Sequence, residues 1–311
     1  MMSRILLAFG IAVCLGAAAL VSVPARAAET ATSAPEASSA QPWVTDQELA
    51  KTVWADIQSG GILGVAPHVA DIEKALANAP QSIAAARANK GTSFVLTDGP
   101  GDTLLQMAAV TAALQKSGDA VHVVAVENPY PAIGFFLGSY YNEIGKFDDA
   151  VRVLDEGLAS SGLQGLDIGI GAHLPALLSE KGAALVGLKR FPDALAAYDA
   201  ALKIDGIDDF MHAHVLRGRG YALTELSRLD EAEQAYNDSL KYEPGNARAL
   251  SELRYIAGLR SGSRPVAPGG LVSIQPPPVP VTGPPPATAT PTSSTPESTS
   301  APTPTPSPTP N

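Results

Sequence analysis

Four stretches hold residue types whose spacing could do chemistry. Gly138 precedes a Gly145-Lys146 pair that opens onto a helical pattern, as a loop that cradles phosphate would. A Walker loop needs four residues between its glycines and a Ser or Thr after the lysine, because backbone N–H groups wrap the phosphates and the hydroxyl reaches magnesium. Here six residues separate Gly138 from Gly145, and Phe147 follows Lys146. Both requirements fail, and the stretch reads as the corner between two helices. His212-x-His214 invites a shared metal ion, yet on a helix residues two apart point to different faces, and the HExxH spacing is missing. His68, His122 and His173 are scattered singly. Asp98-Gly99-Pro100-Gly101-Asp102 lacks the alternating oxygens and closing glutamate of a calcium loop, so a strand-to-helix turn with Asp102 as N-cap is expected. The glycines of residues 165–171 have no strand-to-helix dinucleotide context, and no Gly-x-Ser-x-Gly elbow occurs. No catalytic residue, cofactor site or metal site is expected, and the protein reads as non-enzymatic.

Composition narrows the partners. The lone cysteine, Cys14, falls inside an apolar run, preceded by Val13 where lipid attachment favours a small residue. Without it the chain has no thiol nucleophile and no thiolate metal site. The formal charge is -10, and losing Arg4 and Arg26 with a leader would make it -12. Such a chain without a basic stripe is a poor match for nucleic acid.

The elements that would position any site come in three materials. Residues 1–27 combine Arg4, an uncharged run and Ala25-Arg26-Ala27, the pattern of a secretory signal peptide cleaved after Ala27; a retained anchor is the alternative. The membrane would then be met only during export, and the mature protein would be periplasmic or secreted. Residues 28–42 are a flexible leader. Residues 43–126 read as a mostly helical region. Thr45 and Glu48 form a capping box for a helix that ends at Gly60-Gly61. Further helices are expected at about residues 67–77, 81–89 and 103–116, with a short strand at 93–97. Residues 121–126 stay open: their valines favour a strand, making a small two-stranded ribbon, while their place before the next segment suits a helix. From residue 262 to 311 Pro, Ser and Thr take over, with 16 of the 27 prolines, so a disordered, polyproline-rich tail is expected.

Between these lies a repeat. Leu137-Gly138-x-x-Tyr141 is followed by Ala150 and Leu154; Gly182 by Ala194 and Tyr198; Gly220 by Ala232 and Tyr236. The step from glycine to alanine is 12 each time, as 150 − 138, 194 − 182 and 232 − 220 show. Small residues at these places let two helices approach, and the larger ones fill the space between. The corners repeat as well: Gly145-Lys146-Phe147, Lys189-Arg190-Phe191 and Ser227-Arg228-Leu229.

This pattern resembles the tetratricopeptide repeat, with its Leu-Gly-x-x-Tyr helix, Ala-x-x-x-Phe helix and closing proline, here Pro244. The resemblance covers residues 128–258, with repeats at about 131–164, 175–208 and 213–246 and a capping helix at 247–258. Lys181 and Arg219 replace the leucine of the pair, and the repeat spacing exceeds the family's unit of about 34 residues. Residues 43–126 could hold one more diverged pair. The resemblance implies a mainly α solenoid of helical hairpins whose first helices line a groove for a protein or peptide. In that groove it places Phe135, Ser139 and Asn142 with Arg217, Tyr221 and Thr224, joined by Ser179, Ala183 and Val186. The expected protein is an exported, bacterial-type adaptor of the cell envelope; the alternative is a structural protein tethered or spaced by its tail.

Overall fold

The computed structural model describes residues 41–88, 92–117, 122–161 and 171–262. The expected signal peptide, nearly all of the leader and nearly all of the proline-rich tail lie outside them. By contacts the chain divides into residues 1–264 and 265–311, and the second unit falls wholly outside the described residues.

The fold opens with α1 (Pro42–Gly60), a 3-10 segment (Gly61–His68) and α2 (Val69–Arg87). Helix α1 starts at Pro42, whose missing N–H costs nothing in a first turn. The expected capping box is therefore not formed: Thr45 and Glu48 lie inside the helix. Gly61, at φ 68°, closes it. The two helices expected at 67–77 and 81–89 are one, α2, with Pro80 inside it. Buried Ile72, Ala75, Leu76, Ala79 and Ala86 run along one face through the proline, and that packing holds the segment together. Trp43 lies 5.4 Å from Phe94 and Trp54 stacks at 5.7 Å on Phe136, so rings fasten α1 at its start and in its second half.

Next comes a β-α-β unit: β1 (Thr92–Thr97), α3 (Pro100–Ser117) and β2 (His122–Glu127). The strands form a two-stranded parallel sheet, Thr92 level with His122 and Thr97 with Glu127. Within the open segment 121–126, residues 122–126 are thus strand, residue 121 lying outside the described residues, and the ribbon exists as a parallel pair joined by a crossover helix. Asp102 is not an N-cap but sits in the first turn of α3, where its carboxylate accepts the N–H of Asp98 at 2.7 Å.

Three hairpins and a closing helix complete the described chain: α4 (Pro129–Glu143) with α5 (Phe147–Ser160), α6 (Leu174–Gly187) with α7 (Phe191–Ala201), α8 (Asp209–Glu225) with α9 (Leu229–Tyr242), then α10 (Ala247–Arg260). Each glycine of the repeat touches the large residue assigned to it. A Cβ on Gly138 would meet Leu154 at 2.4 Å, one on Gly182 the Tyr198 ring at 2.6 Å, and one on Gly220 the Tyr236 ring at 2.9 Å. The corners are superposable in their bonding. Lys146, Arg190 and Arg228 donate their N–H to Tyr141, Leu185 and Leu223 carbonyls at 2.8, 2.8 and 2.9 Å. The residue before each has positive φ: Gly145 76°, Lys189 57° and Ser227 59°. One apolar cluster runs from Trp43 through all three hairpins to Ile256.

Candidate functional site

Helix α4 is enclosed by α1, α2 and the 3-10 segment as well as by α5 and α6. The groove residues expected on it are consequently buried: Phe135 is 2 % exposed, Ser139 4 % and Asn142 8 %. Asn142 does not face solvent to clamp a peptide. Its amide Nδ2 donates to Glu180 of α6, at 3.0 Å to the backbone O and 2.8 Å to Oε2. Burial, with Glu143 adding to it, raises the Glu180 carboxyl above the ordinary carboxylate range despite that bond. Ser179 is buried too, while Ala183 and Val186 are half-buried. On α8, Thr224 is buried and its hydroxyl donates to Gly220 O at 2.9 Å. The six residues of the expected groove are therefore not brought together on one open surface.

Arg217 and Tyr221 do remain partly exposed on α8, in a stripe with His214 and Glu225. Spacings of three and four residues put these side chains on one face, which continues onto α10 through Arg248 and Glu252. Arg217 Nη1 donates to Glu243 Oε2 at 2.6 Å. Burial alone would raise Glu243, but Asn246 and Arg217 hold its carboxyl below the usual range. His214 is pushed down to about 4 by burial and by the Arg217 and Arg248 guanidiniums, so it is neutral. Burial, Glu225 and Glu252 push the Tyr221 phenol up to about 12, so it donates as a hydroxyl. Burial also raises Glu252, with Glu225 adding and Arg248 opposing. Arg248 is exposed and forms no ion pair among the described residues. The strip thus offers a guanidinium, a phenol and carboxylates to a polar partner. His214, Glu225, Arg248 and Glu252 escaped the sequence reading; the step of four from Tyr221 to Glu225, in place of the step of three to Thr224, is the signal that marks Glu225, and no local spacing marks the two on α10.

A second polar cluster sits at the carboxyl ends of the strands. His173, just before α6, donates its backbone N–H to Asp98 Oδ2 at 3.1 Å, and its Nδ1 lies 2.5 Å from Asp98 Oδ1. Gln106 Nε2 donates to Asp102 Oδ2 at 2.7 Å and Leu96 O at 3.0 Å, and Arg87 donates to Gln106 at 3.2 Å. Burial would lower the His173 pKa, but the Asp98 and Glu127 carboxylates outweigh it and raise it. The Asp98 and Asp102 carboxylates are engaged by their neighbours, so the cluster is a clasp holding the β-α-β unit against the second hairpin. The partner of His173 lies 75 residues away, beyond any local motif. The other two histidines of interest are also engaged: His212 stacks on Tyr242 at 4.5 Å, and His68 lies 2.7 Å from Asp56. Among the described residues no group of three or more His, Cys, Asp or Glu is placed to hold a metal ion, and no helix is long and apolar enough to cross a membrane.

The stacked hairpins, their shared corner and their glycine contacts define a tetratricopeptide-type helical repeat. No protein-family model matches the chain. Mouse RNA polymerase II-associated protein 3 is 27 % identical over 141 residues, 45 % of this chain, and the match spans only 19 % of that protein's length. Among solved structures, the first TPR domain of the human form of that protein, RPAP3, is 24 % identical with a TM-score of 0.37, covering 42 % of this chain and 93 % of the domain. The first TPR of Spaghetti (RPAP3), solved with an HSP90 peptide, is also 24 % identical, with a TM-score of 0.36, covering 44 % of this chain and 97 % of that one.

Proposed function

We propose that this chain is a non-catalytic scaffold that binds a protein or peptide partner along its helical repeats, and that it does so after export to the cell envelope or beyond. The observation that carries the reading is the partly exposed strip of Arg217, Tyr221 and Glu225 on α8 continuing to Arg248 and Glu252 on α10. It is the stretch of the repeat face that the N-terminal helices leave uncovered, and its exposed guanidinium suits a partner carboxylate. The tagged chain, used as bait in cell-envelope extract, should enrich one partner; Tyr221→Ala and Arg248→Ala should each lose it, while Arg254→Ala, outside the strip, should keep it. Equal capture by all three variants would sink the assignment of the strip. Export rests on residues 1–27, and N-terminal sequencing of the chain recovered from the envelope fraction should begin at Ala28. Deleting residues 262–311 separates the scaffold from the tethered alternative: a scaffold keeps its partner, a tethered body loses its place.

A further inference from the structure

The β-α-β unit carries a row of main-chain groups that the helical repeats do not use. Asn128 donates its N–H to Thr97 O at 2.9 Å, in a ladder where Thr97 is level with Glu127. In an extended chain the N–H and C=O of one residue point to one side and those of the next residue to the other. His122, Val124 and Val126 therefore serve β1, whereas Val123, Ala125 and Glu127 turn theirs to the outer edge. On the outer edge of β1 buried Gln106 donates to Leu96 O, and α2 packs against the strand. On β2, among the described residues, only the end is occupied, where Gln47 Nε2 donates to Glu127 O at 2.6 Å. Among the described residues nothing pairs with the outward groups of Val123 and Ala125. The strand His-Val-Val-Ala-Val-Glu also contains no proline or lysine, the residues that usually block an edge, and residues 123–126 are half-buried.

We propose that the outer edge of β2 is a second binding site, which takes an extended peptide segment of a partner protein as a third strand hydrogen-bonded to Val123 and Ala125. Two donors and two acceptors repeating at about 6.8 Å match the backbone of another extended chain. The half-buried valines beside them call for alternating apolar side chains in that segment. A second copy of this chain suits the edge less well: six residues bury far less than the roughly 1,000 Å² of a stable interface, and a net charge of -10 opposes self-association. The site is independent of the strip on α8 and α10.

A fluorescein-labelled peptide of alternating Thr and Val, and the same peptide N-methylated at every residue, test this with the full chain. The unmodified peptide should raise anisotropy on binding and slow hydrogen exchange at the Val123 and Ala125 amides, and the methylated peptide should do neither. Ala125→Pro removes an outward N–H that β1 does not use, so it should weaken binding by about tenfold or more with an unchanged far-UV spectrum. If that variant fails to fold, the exchange of the two amides in the unaltered chain decides. Equal binding of both peptides, no protection of the two amides, or a dimer by light scattering that Ala125→Pro abolishes while the peptide does not bind, would each overturn the proposal.

Discussion

Lys189 and Ser227 stand where the first hairpin has Gly145, and all three adopt left-handed backbone. A side chain there costs about 1–2 kcal/mol, so two of the three corners are held in that conformation by the hairpins they join. Lys189→Gly should therefore raise stability, by up to about 1 kcal/mol after the added freedom of the unfolded chain, and Gly145→Ala should lower it by a similar amount in urea unfolding. His173 bears on pH. Its folded pKa is raised, so the stability it contributes is fully present below its ordinary value of 6.5 and is lost as pH rises through the folded value. His173→Gln should cost about 1.5–3 kcal/mol under mildly acidic conditions and clearly less under alkaline ones. If the cost is the same at both ends, the clasp with Asp98 is not charge-assisted. Glu180 shows the reverse consequence of burial. Raised above its ordinary 4.5, it charges at a cost as pH rises, so Glu180→Gln should stabilise the fold at neutral pH and change little in acid.

Between elements, close approach sets the tolerance. Gly182→Ala would press a methyl group into the Tyr198 ring and should cost about 1–3 kcal/mol, whereas Gly206→Ala, with open space around it but positive φ, tests backbone strain alone. At the far end, Ile256 of α10 is buried against the third hairpin, and Ile256→Ala should cost about 2–5 kcal/mol in the same assay. The hairpins were legible because a glycine, an alanine 12 residues on and a large residue four further on (Leu154, Tyr198 or Tyr236) are all local in sequence. The β-α-β unit was only half legible. Valines in residues 121–126 state a preference for extended backbone but not a partner, and the partner strand lies across an 18-residue helix. The helices expected at 67–77 and 81–89 are one for a related reason: a proline at 80 argues locally for a break, and tertiary packing on both sides of it argues otherwise. The expected groove failed on α4 because what covers a helix is decided by segments distant in sequence, here α1 and α2.

Across the molecule, side chains far apart in sequence tie the N-terminal helices to the repeats. Tyr130 donates its hydroxyl to Asp46 at 2.8 Å, and Glu73 accepts from both Tyr141 and Arg152 at 2.7 Å. A core continuous from Trp43 to Ile256 should melt as one unit, although a stack of repeats can also come apart neighbour by neighbour. The placement of the two tryptophans makes that distinction measurable. Both lie on α1, one against Phe94 of β1 and one against Phe136 of α4, so tryptophan emission reports on the N-terminal end, whereas circular dichroism averages over every helix. Coincident melting curves from the two signals are expected, and an earlier fluorescence transition would show the N-terminal end leaving first. Because Trp43 rests on Phe94, which is level with Val124 of β2, the protein carries a built-in fluorophore on the sheet, and a strand added to β2 is expected to change its colour or brightness without any label.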